Sequence, residues 1–510
     1  MAGSSPAMAL ARLISRGQSG LDAFEVSVEV HLAGGLPAFT ITGLPAPAVR
    51  ESRDRVRAAL QNCGIDLPAS RITTHLGPAD VPKQGGRFDL AIALGIIVAK
   101  HKKAWRLTDV EFLGELSLGG ELRPVTGIVP AAVAARAAGR ELVIPAANSD
   151  EAGLVPGASV RAADHLTEVI AALDGTMALR TVQSKEITTS ETASRDLDDI
   201  KGHAAVKRAL TIAAAGGHNL LLEGPPGSGK SMLASRLPAL LPALSDDELL
   251  EVATIASVAG TDSVLRAGRL RPFRSPHHTT RAAALVGGGN HPRPGEISLA
   301  HHGILFLDEL PEFSREALES LREPLETGRV ALSRVGRRIE FPAQFQLIAA
   351  MNPCPCGFLG DGTERCRCSA ANVYRYRSRI SGPLLDRFDL QVEVPPVSVA
   401  ELTTALPESD NEAIRRRVES ARARQMRRGM PNSRLSERDV MAGAQLDTAA
   451  RRLLANAQAR WRLSPRGVVR ALRVATTIAD LAGRTRPGVT EISEALHLRR
   501  FDRRHTTDTL

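Results

Sequence analysis

Gly224-Pro-Pro-Gly-Ser-Gly-Lys230-Ser231 constrains this chain more than any other stretch. It follows the apolar run HNLLLEG and precedes MLASRLPALL, which reads as a helix. A GxxxxGK[ST] loop between a buried strand and a helix aims successive backbone N–H groups at phosphate oxygens, with the positive end of the helix behind them. Lys230 then reaches the β- and γ-phosphates, and Ser231 ligates Mg²⁺. The expected phosphate-binding set is Gly224, Pro225, Pro226, Gly227, Ser228, Gly229, Lys230 and Ser231. Such a loop needs a metal-holding carboxylate and a group to activate water. GILFLDEL offers both, with Asp308 suited to Mg²⁺ and Glu309 to the general base, at the end of four apolar strand residues. Hydrolysis, rather than binding alone, is the expectation.

At 510 residues the chain is too long for one core. No apolar run reaches the roughly 18 residues of a membrane helix. The longest, Leu90 to Ala99, stops at Lys100, and Arg12 interrupts the short N-terminal apolar patch. Membrane and secretory readings are excluded, and a cytoplasmic location is expected. Residues 1–180 alternate strand-like runs (FEVSVEVHL, AFTITGL, RITTHLG, ELVIPA) with helical ones (AVRESRDRVRAAL, FDLAIALGIIVA), so they read as an α/β domain. Residues 181–196 are polar and Ser/Thr-rich, a linker. Residues 197–395 form a second α/β segment with buried strands. Residues 396–510 show helical periodicity and no strand signal.

The net charge of +9 sits entirely in residues 401–510, which hold 22 Arg, no Lys and 13 acids. Arginine forks suit phosphate, so this segment is either a polyanion surface or a solvated helical one. Aromatics are only 3%, against a groove that stacks successive bases.

Cys354, Cys356, Cys366 and Cys368 fall within 15 residues as C-P-C-x9-C-R-C, while Cys63 stands alone and reads as a small hydrophobe. Disulfides are disfavoured in a reducing compartment, and a bridge across one residue is strained. Four thiolates in two close pairs can enclose a structural Zn²⁺, although one-residue spacing is tighter than usual. His277, His278, His301 and His302 read as polar lining, because four cysteines already complete a site.

Taken together, ESRDRVRAAL, RPFRSPHHT, GEISLAHHGILFLDEL, FPAQFQLIAAMNPCPCG and SGPLLDRFDL resemble the YifB/ComM family of magnesium-chelatase-like AAA+ ATPases over the whole chain. Within AAA+ proteins, 197–510 is similar to the branch of MCM helicases and the magnesium-chelatase ATPase subunit. The resemblance implies a multidomain α/β fold: a ribosomal-S5-like (Lon protease-like) N-terminal α/β domain, a P-loop AAA+ α/β core and a C-terminal helical lid. It implies ATP and Mg²⁺ as ligands. Asn352 then matches the water-orienting sensor, and Arg387 the arginine finger that reaches a neighbour's ATP. Arg466 matches the lid sensor, with Arg470 and Arg473 as nearby competitors. A finger used in trans implies a homo-hexameric ring.

RVALSRVGRRIEF reads as a hairpin turning at Val335-Gly336, with Arg334, Arg337 and Arg338 around its tip. In the MCM branch such a hairpin grips DNA phosphate; otherwise these arginines are a solvated tip. The basic, Gly-rich stretch 259–302 fits a pore-facing loop. In the N-terminal domain GELSLGGELRPVTGI is nearest to the Lon-like fold. Arg87 and Phe88 occupy the expected nucleophile position, and no lysine follows Gly127, so no peptidase activity is expected. The domain is left with ring assembly or DNA contact as roles. The implied function is an ATP-driven helicase or branch-migration motor on single-stranded or branched DNA, in recombination or natural transformation. The alternative is a magnesium-chelatase-type motor without DNA activity.

Overall fold

The structure, a computed structural model, describes residues 9–185, 187, 197, 200–289, 292–334, 337–361, 364–397 and 411–499. Most of the expected linker, the hairpin tip Val335-Gly336, the side chains of Arg334 and Arg337, and residues 500–510 lie outside them. The chain divides into two compact units, 1–188 with 246–268, and 189–245 with 269–510.

The first unit is built on an eight-stranded sheet: β1 (Ala9–Ser19), β2 (Asp22–Ala33), β3 (Ala38–Thr42), β4 (Arg71–Gly77), β5 (Val110–Phe112), β6 (Glu141–Pro145), β7 (Val160–Ala163) and β8 (Arg180–Thr181), in the order β8-β7-β6-β5-β1-β2-β4-β3. The pairs β1–β2 and β2–β4 are antiparallel, whereas β1–β5, β5–β6 and β6–β7 are parallel. Val26, Val28 and Val30 alternate inward along β2, as a one-sided strand requires. They pack beside α1 (Pro47–Asn62) and α2 (Asp89–His101). α2 is buried from Leu90 to Ile97, which explains its continuous apolar run. β1 carries the polar pair that sequence reading passed over. Arg16 is buried and forks onto Glu111 of β5, at 2.5 and 2.7 Å. After α3 (Ile128–Ala137), the chain returns to this unit with α4 (Asp246–Ala259). Ser257 of α4 accepts from Gly127 N through its carbonyl (3.0 Å) and from Val129 N through its hydroxyl (3.1 Å), satisfying N–H groups at the start of α3.

In the second unit five parallel strands form the sheet: β9 (Leu220–Glu223), β10 (Phe273–Arg274), β11 (Ile304–Leu307), β12 (Gln346–Met351) and β13 (Leu390–Glu393), ordered β10-β11-β12-β9-β13. Both faces are covered, so the strands read as unbroken apolar runs. Leu220, Leu222, Phe306 and Ile348 join one core with α5 (Ala204–Gly216). Leu221, Leu305, Leu307 and Ala349 join the other, with Leu318 and Phe388. Between β11 and β12, strands Arg329–Arg334 and Arg337–Pro342 pair antiparallel as a two-stranded hairpin.

The C-terminal helices run from α6 to α10: α6 (Asn411–Arg427), α7 (Glu437–Ala444), α8 (Thr448–Trp461), α9 (Pro465–Leu481) and α10 (Val489–His497). Side chains cap three of them. Ser436 accepts from Asp439 N, Asp447 from Ala450 N and Ser464 from Gly467 N, and Pro465 occupies the first turn of α9. A buried polar chain ties α9 to the sheet. His218 contacts Asp389 Oδ2 (3.3 Å) and Thr477 Oγ1 (2.7 Å), and Asn432 donates to Thr477 (3.0 Å) and Asp480 (2.8 Å).

Burial pushes the Asp389 carboxyl up, but the His218 hydrogen bond and the charges of His218, Arg470 and Arg473 outweigh it and leave it below the usual range. Its stabilisation is full above the unfolded value of about 3.9 and is lost as pH falls through the lower folded value. Asp389→Ala is expected to destabilise the second unit by about 2 kcal/mol near neutral pH, with the difference from wild type shrinking in acid. Urea unfolding followed by Trp461 emission in a Trp105→Phe background checks it.

Candidate functional site

The site grows from the end of β9. Gly224 N donates to Met351 O of β12 (3.2 Å), and Val394 N donates to Glu223 O (2.7 Å), so the strand is held on both sides up to its last residue. The loop then curls through left-handed Gly227 (φ 76°) and Gly229 (φ 83°), where side chains are disfavoured, into a one-turn helix at Lys230–Ala234. Lys230 is only 8% exposed, and its Nζ donates to Gly224 O (2.8 Å), Pro225 O (2.8 Å) and Asn352 Oδ1 (3.1 Å). Burial pushes its ammonium pKa down, while Asp308 and Glu309 pull it up. Ser228 Oγ is buried in the same loop without a protein partner. A cationic donor, an orphaned hydroxyl and a cradle of glycines fit a polyphosphate.

Across the sheet, Asp308 follows β11 and its Oδ2 accepts from Ser231 Oγ at 2.5 Å. This oxygen pair suits Mg²⁺, a hard cation that keeps water and phosphate among its ligands. Glu309 sits in the left-handed region (φ 53°), where a non-glycine residue costs about 1–3 kcal/mol and is held by its surroundings. Its N–H is fixed by Asp308 Oδ1 (2.9 Å), and its half-exposed carboxylate meets His278 Nδ1 at 3.0 Å. Lys230, Ser231, Asp308 and Asn352 are thus joined by direct hydrogen bonds, and Glu309 adjoins them.

The remaining expected residues lie elsewhere. Arg387, at the end of the short helix Gly382–Leu385, pairs its Nη2 with Glu326 Oε2 (2.6 Å), and its Nε is buried without a partner. Arg466 is exposed in the first turn of α9. Its competitors are occupied inside: Arg470 is buried near Asp389, and Arg473 donates to Leu435 O. Arg338 pairs with Glu340 (3.1 Å) on the hairpin. In the first unit, Arg87 is buried and donates to Gln18 Oε1 (2.8 Å) and Thr126 O (2.6 Å); burial pushes its guanidinium down to about 10, against the pull of Glu151.

The four clustered cysteines converge. Sγ–Sγ distances are 3.3 Å (Cys354–Cys356), 3.8 Å (Cys354–Cys366) and 3.7 Å (Cys356–Cys366), and all four sulfurs lie within 4.8 Å of one another. None is in a disulfide. Tetrahedral zinc with Zn–S bonds of about 2.3 Å sets its sulfurs about 3.8 Å apart, so the donor set fits that ion. The Phe358 N–H, then the neighbouring thiols, pull Cys356 down to about 6. For Cys368 a backbone N–H at Cys356 pulls down, but the Cys356 and Cys354 thiols with burial outweigh it and push it up to about 11. One thiolate is favoured by its surroundings while the next is opposed, a conflict that a bound cation relieves.

Three residues around the nucleotide loop have contacts that the sequence does not show. His278, expected as polar lining, contacts Glu309. Arg377 donates to Glu223 Oε1 (2.9 Å) and Pro353 O (3.2 Å). Tyr376 is pushed up to about 12 by burial and then by the Glu312 carboxylate. Only the run YRYR after the cysteines marks the last two, and nothing local shows their targets.

Comparison with known proteins covers nearly all of the chain. Family models match in three stretches: "Subunit ChlI of Mg-chelatase" at 28–148, "Magnesium chelatase, subunit ChlI" at 196–402 and "Magnesium chelatase, subunit ChlI C-terminal" at 408–499. Uncharacterized protein YifB of Salmonella typhimurium is 45% identical over 499 residues, 97% of this chain and 98% of its own length. Competence protein ComM of Haemophilus influenzae is 45% identical over 499 residues, 96% and 98% respectively. DNA replication licensing factor Mcm2 of Drosophila melanogaster is 25% identical over 268 residues, 48% of this chain and 26% of its own.

Lys230→Ala is expected to weaken binding of a fluorescent adenine nucleotide by about 3 kcal/mol, the worth of two hydrogen bonds to a charged group, or roughly a hundredfold in Kd. Equilibrium titration followed by anisotropy measures it.

Proposed function

Since the chain belongs to the YifB/ComM family of magnesium-chelatase-like proteins, we propose that it is an AAA+ ATP hydrolase that drives translocation on DNA as a homo-hexameric ring. The observation that carries the ATPase part is the bonded set Lys230–Asn352 and Ser231–Asp308 with Glu309 alongside. Lys230 and the N–H groups of Gly224–Ser231 bind the phosphates. Ser231 and Asp308 hold Mg²⁺, which when bound neutralises phosphate charge. Glu309 accepts a proton from the attacking water, and Asn352 orients that water through its amide. Arg387 leaves Glu326 to reach the site of the next subunit, where its charge stabilises the transferring phosphoryl group. Arg466, exposed where α9 begins, is the lid residue that reads the nucleotide. Cys354, Cys356, Cys366 and Cys368 hold a structural zinc.

Support for DNA as the track comes from three directions. Exposed Arg416, Arg417, Arg427, Arg451, Arg452, Arg460 and Arg462 line the C-terminal helices. The arginine hairpin precedes β12, where the MCM branch grips phosphate, and the chain is similar to an MCM protein over half its length. Contacts of this kind position phosphate without reading sequence and weaken with salt. The ComM relative's name, a competence protein, suits recombination of incoming DNA in the cytoplasm. A second reading is kept by the family models: a magnesium-chelatase-type metal-insertion or remodelling motor, with no DNA activity. The ribosomal-S5-like N-terminal domain serves either reading as an assembly element, and the first also as a DNA-contacting one.

Steady-state ATP hydrolysis separates the two. The DNA motor predicts a rate that rises severalfold with single-stranded or forked DNA, fades as salt is raised, and drops by about 100-fold or more in Glu309→Gln. Hydrolysis indifferent to every DNA structure selects the chelatase-type reading. Arg338→Ala is expected to reduce DNA stimulation while leaving the DNA-free rate in place.

A further inference from the structure

The cysteine loop touches the nucleotide site at three points. Asn352, two residues before Cys354, holds Lys230 at 3.1 Å. After Cys368 comes the helix Ala370–Arg377, whose Tyr376 is buried, 6% exposed. The next residue, Arg377, joins Pro353 O to the carboxylate of Glu223, the last residue of β9 before the phosphate loop. Glu223 is only 3% exposed, so this ion pair lies inside the fold. Between the two cysteine pairs, Gly357 (φ 84°) lies flat against the Pro226 ring. A Cβ on Gly357 would stand 2.5 Å from Pro226 Cδ and 2.6 Å from Cγ, closer than side chains approach.

Among the described residues of the loop only Cys354 of the cysteines is fully buried, and Arg365 pairs with Asp361 (2.7 Å) and stacks its guanidinium over the Phe358 ring at 4.3 Å. Ordering a polar loop of this kind costs conformational entropy. A tetrathiolate metal site, by contrast, supplies folding free energy directly, and it does so only when occupied.

We propose that a thiophilic divalent metal ion held by Cys354, Cys356, Cys366 and Cys368 is the clasp that keeps the phosphate loop and Asn352 in binding geometry, so that metal occupancy sets nucleotide affinity. The inference rests on the nucleotide-site reading above. Binding of the ion displaces the thiol protons to solvent and fixes the loop; the fixed loop presses Gly357 on Pro226 and holds Arg377 between Glu223 and Pro353. Losing the ion releases both contacts and lets the phosphate loop relax. Arg377 and Gly357 are positioning residues in this scheme.

The test uses the full-length protein. Zinc content is read with a metallochromic dye after thiol modification, and the affinity for a fluorescent ADP analogue is read by titration. Three chains are compared: wild type, Cys366→Ser/Cys368→Ser and Arg377→Gln. The double variant removes the cysteine pair farther along the chain from the phosphate-loop contact. It is expected to lose the metal and to bind the ADP analogue about tenfold more weakly, the scale of a displaced positioning group, with its circular dichroism retained. Arg377→Gln is expected to keep its zinc and still bind several-fold more weakly, a split that mere unfolding does not produce. Should the double variant fail to fold, Arg377→Gln carries the test alone. Wild type free of thiol-bound metal, or either folded variant binding the analogue as wild type does, overturns the clasp. Wild type that binds no nucleotide at all overturns the nucleotide-site reading, and the clasp with it.

Discussion

Leu220–Glu223 is hydrogen-bonded along both edges, to Ile348–Met351 on one side and Leu390–Glu393 on the other. That double pairing fixes where the chain must leave the sheet, and the rest of the site is referred to it. The phosphate loop starts at Gly224, Asn352 leaves the neighbouring strand one residue past Met351, and Asp308 leaves the strand beyond. Parallel strands deliver their C-terminal ends to one edge, so Asn352 and Asp308, far apart in sequence, come within bonding distance of Lys230 and Ser231 of the loop. Apolar packing on both faces of the sheet holds this edge in register. A shift of one residue in β9 would exchange Leu221 with Leu222 between the two cores and misplace the loop together with its lysine.

How legible each part was in the sequence depended on how local its signal was. The phosphate loop, the acidic end of GILFLDEL and the four cysteines are written in contiguous residues, and the structure brings each group together. The strands FEVSVEVHL and RITTHLG, the helix FDLAIALGIIVA and the arginine hairpin also fall where periodicity puts them. β1 was passed over because Arg12 and Arg16 break its apolar alternation. Only the distant Glu111 explains why Arg16 is tolerated inside. Residues 246–268 lie amid the ATPase-like segment in sequence, yet they cluster with the first unit. An amphipathic helix states that it has a partner, not which one.

The same limit applies at the site. His278 meets Glu309, Arg377 meets Glu223 and Arg387 meets Glu326, and each pair is set by tertiary placement rather than by spacing. Arg387 is the most telling of them. Its carbonyl accepts from Asn219, next to the start of β9, while its own side chain, only 19% exposed, pairs with Glu326, which is 65% exposed. An exposed carboxylate is screened by water, so this pair is a weak one. The proposed function has this arginine leave Glu326 for the site of a neighbouring chain.

That shared site is the central claim, and mixing two inactive chains tests it most directly. On the proposed roles, Glu309→Gln lacks the base and Arg387→Ala the finger, so neither is expected to hydrolyse ATP alone. In mixed rings, a subunit carrying Glu309 meets a neighbour carrying Arg387, and that interface is complete. The account predicts that mixing restores a measurable part of the wild-type ATP hydrolysis rate. A mixture as inactive as its components, under conditions where the chains exchange, would contradict it.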